Sequence, residues 1–277
     1  MRIGIYGFKS NFWRISLTSL ILVILSGLAG CSGTSGDLDY GEFSGQRAYR
    51  DVIFQEKIGA RYPGTAGHQR MTSFITEELT AAGWLVNRHE AEINGKKVIN
   101  LIGFRDYKSE YLLLGAHYDS RIYADHDPVE KLRTRPVPGA NDGGSGVAVL
   151  LELSRTLPED LPNSIRLVFF DAEDNGGIED WDWILGSRAY VRDIDPLPQT
   201  AIILDMIGDA DLQVYYERNS DQLIREEIWS AAADLGYEDI FIKQERYSML
   251  DDHTPFLEAG IPAVDIIDFD YPYWHTT

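Results

Sequence analysis

An apolar run that ends in adjacent carboxylates constrains this chain more than any other feature of its sequence. Residues 165–170 read Ile-Arg-Leu-Val-Phe-Phe, and Glu173 and Asp174 follow within four residues. Such a run predicts a strand buried on both faces, and strands of that kind in open α/β sheets deliver chemistry from their carboxyl ends. A solvated acidic loop explains the two acids equally well on this stretch alone.

The remaining periodicity predicts the sheet around that strand. An Asn-Gly turn at residues 94–95 joins two strand patterns and predicts a hairpin. Farther along, strands alternate with helices, which is typical of parallel strands. We therefore expect an α/β fold, a three-layer sandwich with a central mixed, mostly parallel sheet covered by helices on both faces. The predicted helices span 41–58, 68–82, 146–157, 186–192 and 221–235, and the predicted strands span 84–92, 98–104, 111–116, 165–170, 200–206 and 263–267.

The N-terminus has the pattern of an export signal. Three basic residues, Arg2, Lys9 and Arg14, precede an apolar run at residues 15–28. This run is shorter than the roughly 20 residues that a membrane-spanning helix needs. The run ends in Leu-Ala-Gly-Cys, which resembles the lipobox of bacterial lipoproteins. Cys31, the only cysteine in the chain, is then the lipidated first residue, although an ordinary cleaved signal that contains a cysteine is the alternative.

These features divide the chain into three parts. We expect a lipoprotein signal peptide at 1–30, a flexible Gly/Ser-rich tether at 31–40 and a single domain at 41–277. The protein would be exported and lipid-anchored to a bacterial cell membrane, on its periplasmic or extracytoplasmic face. Loss of three positive charges with the signal takes the net charge from −19 to −22, which argues against nucleic acid as a partner.

Polar residues follow four of the apolar strands. His117 and Asp119 end one strand, Glu173 and Asp174 follow another, Asp205 ends a third, and His275 comes after the last. Because the carboxyl ends of parallel strands share one edge of a sheet, we expect these side chains to converge.

Asp142 joins this group from a glycine-rich loop at residues 138–146, just before a helix. Such a loop can hold phosphate, but the surrounding acids would repel an anion. Carboxylates together with neutral imidazole suit zinc. For His117 alone a hydrogen-bonded core histidine is the commoner explanation, and it is the joint pattern that indicates a metal site.

Six short motifs follow one another along the chain: His117-Tyr118-Asp119, Gly139-Ala140-Asn141-Asp142-Gly143, Phe170-Asp171-Ala172-Glu173-Asp174, Leu204-Asp205-Met206-Ile207-Gly208, Asp251-Asp252-His253 and Trp274-His275-Thr276. In this order they resemble the zinc peptidases of the M28 superfamily, from about Arg61 to the end of the chain. Within that group the chain is most similar to the animal-type (type II) glutaminyl-peptide cyclotransferases, which also occur in bacteria. The motifs Arg61-Tyr62-Pro63-Gly64 and Gly186-Ser187-Arg188, the double aspartate before His253 and the tryptophan before His275 favour this branch.

The chain departs from the animal cyclases at three positions. Gly143 stands where many of them have serine, Asp174 replaces their usual glutamate, and Asp265 replaces a histidine of their proton network. Members of the family normally continue through another acidic segment after the position of Thr277, which leaves open a truncation of this sequence at its C-terminus.

The resemblance implies a zinc-dependent catalytic domain and a role for each motif. Asp142, Asp174 and His275 would bind one zinc ion, and Glu173 would carry the proton from the substrate amine to the departing ammonia. Asp205 and Asp251 would form hydrogen bonds around Glu173. The pocket walls would be Trp274 and one of Trp181 and Trp183, of which Trp181 is preferred. The substrates would be peptides or proteins with N-terminal glutamine, and the lipid anchor would make the membrane a further partner.

Two other functions remain open at this stage. In a di-zinc M28 aminopeptidase, His117 and Asp205 would bind a second metal, Asp142 would bridge the two ions, Asp119 would orient His117, and Glu173 would activate water. All of these residues are present, so the ligand types do not separate the two enzymes. A catalytically idle surface lipoprotein is the third interpretation, and the intact Glu173 argues against it.

Overall fold

The structure, a computed structural model, describes residues 41–277. The predicted signal peptide, the tether and Cys31 lie outside the described residues. Within the described range, no helix is both long and apolar enough to cross a membrane.

A mixed sheet forms the centre of the domain. The strands are β1 (Leu85–Ile93), β2 (Lys96–Phe104), β3 (Tyr111–His117), β4 (Ser164–Phe170), β5 (Thr200–Asp205), β6 (Val214–Tyr216), β7 (Phe241–Glu245) and β8 (Ala263–Ile267). Six of them form the central sheet in the order β1-β2-β4-β3-β5-β8. β1 and β2 form an antiparallel hairpin, β2 pairs antiparallel with β4, and β4, β3, β5 and β8 run parallel to one another. The predicted α/β sandwich is therefore confirmed.

Helices cover both faces of this sheet. They are α1 (Gly45–Ile58), α2 (Ala66–Ala81), α3 (Ser145–Thr156), α4 (Leu185–Asp193), α5 (Gln222–Asp234) and α6 (Thr254–Glu258), with a short 3-10 helix at Glu130–Leu132. In β4, Leu167 and Phe169 pack in the cluster that contains α2, α3 and α5, whereas Val168 and Phe170 pack against Tyr190 of α4 and Phe256 of α6. Burial on both faces is why residues 167–170 read as a continuous apolar run.

Local signals explain the elements that the sequence predicts well. Asn94 and Gly95 take positive φ angles of 51° and 74°, which the tight turn between β1 and β2 requires. Asp221 accepts hydrogen bonds from the backbone amides of Leu223 and Ile224 and so begins α5. The small parallel pair β6–β7 and the helix α6 were not predicted, because segments of three to five residues are too short to show a periodicity.

Candidate active site

The polar groups at the strand ends meet at one edge of the sheet, as predicted. His117 ends β3, Glu173 and Asp174 follow β4, Asp205 ends β5, and all four side chains are buried. His275 reaches the same edge from the segment after β8, and Asp142 from the loop before α3. A cavity of about 200 Å³ lies there, lined by Asp142, Glu173, Asp174, Trp183, Asp205, Met206, Met249, Leu250, Ile267, Phe269 and Trp274.

The chain turns toward this site at three residues that have a left-handed backbone conformation. Ala172, Met206 and His275 have φ angles of 54°, 45° and 56°, a conformation that residues other than glycine rarely adopt. Ala172 separates the acids after β4 into two environments. Asp171 accepts a hydrogen bond from the amide of Ile99 and pairs with His68 in the protein interior, whereas Glu173 and Asp174 line the cavity.

Asp119 holds the segment that carries both cavity acids. Its fully buried carboxylate accepts hydrogen bonds from the amides of Glu173 (3.0 Å) and Asp174 (3.3 Å) and from the side chain of Asn175 (3.0 Å). The same carboxylate lies 3.4 Å from Nδ1 of His117. It therefore orients Glu173 and Asp174 as well as His117, whereas the sequence suggested only the contact with His117.

Gly143 brings the loop of Asp142 against the backbone of Asp119. Its φ is +71°, and a Cβ atom at this position would lie 2.1 Å from the carbonyl oxygen of Asp119. A serine would be strained here on both counts. The departure from the animal cyclases at this position thus has a structural reason in this chain.

Asp142, Asp174 and His275 form a group that fits a metal ion. One ligand atom from each lies within 4.8 Å of the others, and Nε2 of His275 is 2.9 Å from Oδ1 of Asp174 and 3.8 Å from Oδ2 of Asp142. Burial lowers the pKa of His275 to about 4, so that the ring is neutral at pH 7, as ligation requires.

The second oxygen of Asp174 supports the same conclusion. Oδ2 is buried and has no hydrogen-bond partner within the described residues. Burial, reinforced by the charge of Asp142, raises the pKa of Asp174 well above its usual range. A cation placed between these carboxylates would reverse that shift and satisfy the free oxygen.

His117, Asp142 and Asp205 form a second group of possible ligands. Nε2 of His117 lies 3.1 Å from Oδ1 of Asp142 and 3.2 Å from Oδ1 of Asp205, and the three ligand atoms lie within 4.8 Å of one another. Asp142 belongs to both groups, as a bridging ligand would. The side chains can therefore accommodate one metal ion or two.

Glu173 has the environment of a proton carrier. Burial raises its pKa well above the usual range, His117 opposes the shift, and the carboxylates of Asp251, Asp174 and Asp252 add to it. Among the carboxylates, Asp251 contributes most to the raised pKa of Glu173. Burial also raises the pKa of Asp205 to about 7, opposed by His117 and reinforced by Asp251.

Of the two tryptophans considered for the second pocket wall, Trp183 lines this cavity and the preferred Trp181 does not. Trp183 lines the cavity together with Trp274, and its ring stacks on that of His275 at 6.2 Å and 12°. Trp181 instead closes a tight turn through backbone hydrogen bonds with Gly177 and Ile178, and its ring packs beside the β1–β2 hairpin under Lys96. Trp183 follows this turn by two residues and returns to the cavity that Glu173 and Asp174 line.

Arg121 is a site residue that sequence reasoning missed. It follows the His117-Tyr118-Asp119 motif by two positions, is almost fully buried, and donates to the carbonyl oxygen of Asp174. A basic residue so close to a motif at a strand end is the one signal that could have identified it.

Three comparisons describe what this chain is similar to. The sequence profile of peptidase family M28 matches residues 98–277. The structure of Tannerella forsythia glutaminyl cyclase is 38% identical, with a TM-score of 0.78 over 84% of this chain and 90% of that one. A Zn-dependent exopeptidase from Parabacteroides distasonis is 36% identical, with a TM-score of 0.79 over 84% and 89%. Among curated sequences, the glutaminyl-peptide cyclotransferase of Boiga irregularis is 26% identical in an alignment that covers 78% of this chain and 70% of that protein.

Proposed function

The chain belongs to peptidase family M28, and we propose that it is a zinc-dependent glutaminyl-peptide cyclotransferase. This enzyme would convert N-terminal glutamine of peptides and proteins into pyroglutamate with release of ammonia. The chain is 38% identical to the cyclase of Tannerella forsythia and 26% identical to the cyclotransferase of Boiga irregularis. This difference supports placing the chain with bacterial cyclases rather than with the animal branch.

The cavity at the strand ends is the observation that carries this proposal. Its volume of about 200 Å³ is below the range of about 300–1,000 Å³ of ordinary ligand pockets. Two tryptophans and a phenylalanine wall it, and Glu173 lies at its polar end. Such a space suits one short side chain, and a glutamine placed there would have its own amine near the proton carrier.

Each residue then has a defined task. Asp142, Asp174 and His275 would bind one zinc ion, which as a Lewis acid would polarise the substrate's γ-amide carbonyl. The α-amine attacks the γ-amide carbon, so that the N–C bond of the ring forms and the bond to the amide nitrogen breaks. Glu173 accepts the proton of the amine and gives it to the departing ammonia, for which a pKa raised toward neutrality is required.

Asp205 and Asp251 support this proton transfer. Asp251 raises the pKa of both Glu173 and Asp205 through its negative charge. Glu173 and Asp205 therefore retain a proton more readily beside Asp251 than they would alone. Trp183 and Trp274 wall the pocket, and they limit its access to water.

The di-zinc aminopeptidase is the second candidate, and a specific observation favours it. The group of His117, Asp142 and Asp205 offers a second metal site that shares a ligand with the first. In that enzyme Glu173 would activate water instead of the substrate's own amine.

One assay separates the two functions. Purified protein is incubated with a Gln-initiated peptide and with a Leu-initiated peptide of otherwise identical sequence, and its zinc content is measured. Ammonia and a pyroglutamyl end, with one zinc per chain, are expected, and Glu173→Gln should abolish turnover while it retains zinc. Free N-terminal amino acids and two zinc ions per chain would instead establish the aminopeptidase.

The cellular setting forms a separate part of the proposal. The N-terminal pattern supports an exported lipoprotein that is anchored through Cys31 and meets its peptide substrates outside the cytoplasm. Labelled fatty acid should be incorporated into the wild-type chain in a bacterial host and absent from Cys31→Ala. Equal labelling of both would exclude the anchor.

A further inference from the structure

Arg121 makes an unusual set of contacts for a residue with no part in the proposed reaction. Its side chain is almost fully buried just beyond β3. Nη1 donates to the carbonyl oxygen of Asp174 at 2.6 Å and Nη2 to that of Gly176 at 3.4 Å. These bonds fix the backbone of the segment that carries a metal ligand.

The other edge of the guanidinium holds Asp125 in a bidentate pair. Nε and Nη2 of Arg121 donate to the two carboxylate oxygens at 2.8 Å and 2.7 Å. A planar fork of this kind fixes the direction of the carboxylate as well as its position. Asp125 is itself partly exposed, so its orientation depends on this pair.

Asp125 in turn faces the metal-ligand histidine from behind. Its Oδ1 lies 3.5 Å from Nδ1 of His275. That nitrogen is buried and has no hydrogen-bond partner among the described residues, while Nε2 on the other side of the ring meets Asp174. A carboxylate behind a ligand histidine holds the proton on the nitrogen that does not bind the metal, and it fixes the plane of the ring.

Trp183 completes the arrangement. The guanidinium carbon of Arg121 lies 4.9 Å from the centre of the Trp183 ring, whose plane is stacked on that of His275. Arg121 therefore contacts the backbone of one ligand, the carboxylate behind another ligand, and a wall of the pocket.

We propose that Arg121 and Asp125 are positioning residues that hold His275, Asp174 and Trp183 in place for zinc binding and for the substrate side chain. The proposed role in zinc binding rests on the set of ligand residues alone. The proposed role in holding Trp183 for the substrate side chain rests on the proposed cyclase function. Arg121 and Asp125 carry opposite charges, which largely cancel at the zinc site. We therefore expect the pair to affect zinc affinity mainly through the geometry of the ligands. Loss of such a supporting contact typically weakens metal affinity by about 10–100-fold.

The test measures zinc affinity directly. Zinc-free wild type, Asp125→Asn and Arg121→Lys are titrated with zinc against a competing chromogenic chelator. Asp125→Asn keeps the size of the side chain, and Arg121→Lys keeps the charge but loses the fork. We expect the zinc Kd of both variants to rise about 10–100-fold. Glu258→Gln, which breaks the exposed pair of Arg188 and Glu258, is the matched control and should leave the Kd unchanged.

Two further measurements distinguish positioning from general stability. The visible spectrum of the cobalt(II)-loaded protein reports ligand geometry and should change in both variants but not in Glu258→Gln. In thermal unfolding of the zinc-free proteins, the midpoint of Asp125→Asn should fall only slightly below that of wild type. The loss of stability should be smaller than the free energy that corresponds to its weakened zinc affinity. Wild-type Kd and an unchanged cobalt spectrum in both variants would overturn the proposal, whatever their thermal stability. If wild type released no ammonia from Gln-peptides while the Kd differences held, the proposed function would fail and the positioning role would stand.

Discussion

Replacing Asp119 with asparagine tests how the acids after β4 are held in place. The wild-type carboxylate is fully buried and accepts from two backbone amides and one side-chain amide. An asparagine has the same shape, but its NH₂ group would face donors, so at least one buried N–H loses its acceptor. A hydrogen bond to a charged group contributes about 1.5–3 kcal/mol, and a buried donor left without an acceptor costs about 1–3 kcal/mol. We expect Asp119→Asn to lower the free energy of unfolding by about 2–4 kcal/mol.

Urea unfolding of the zinc-free protein is the assay, so that any effect on metal binding is kept apart. Glu90→Gln is the control, because Glu90 pairs with Arg88 on the surface and such exposed pairs contribute little to stability. A loss below about 0.5 kcal/mol for Asp119→Asn, comparable to a surface substitution, would refute the role assigned to this carboxylate.

Three other outcomes are expected. Trp183→Ala should raise the KM for a Gln-peptide by about tenfold, equivalent to about 1.4 kcal/mol, while Trp181→Ala should leave KM near the wild-type value; equal effects would contradict the assignment of the pocket wall. Removal of zinc with a chelator should lower the thermal midpoint and abolish turnover, and zinc at 100 times its Kd should restore about 2.7 kcal/mol of stability. The pKa of His68 is raised, because the hydrogen bond to Asp171 and its charge outweigh the opposing effect of burial. The stabilisation by protonated His68 should be complete below about pH 6.5 and disappear as the pH rises through the raised pKa of the folded state. Urea unfolding across this range should show a steeper loss of stability with rising pH in wild type than in His68→Gln, which retains the contributions of the other buried groups such as Asp205.

The sequence by itself determined the sheet and the positions of the chemistry. The run at 165–170 is a local signal, and its abrupt change to Glu173 and Asp174 marks a strand end without reference to any other part of the chain. The same holds for His117 and Asp205. Parallel strands then bring these ends to one edge, so the convergence of His117, Asp174 and Asp205 follows from the shared direction of their strands.

Only the tertiary structure decided the contacts between side chains from separate elements. Trp181 and Trp183 are alike in the sequence, and the turn that Trp181 closes is what places Trp183 against His275. The Arg121–Asp125 pair lies about 150 residues before His275, and nothing local indicates that they meet. The pKa of Glu173 likewise depends on burial and on the carboxylate of Asp251. Local periodicity encodes which face of a strand is buried, whereas hydrogen bonds and pKa shifts arise from groups that become neighbours only when the whole chain packs.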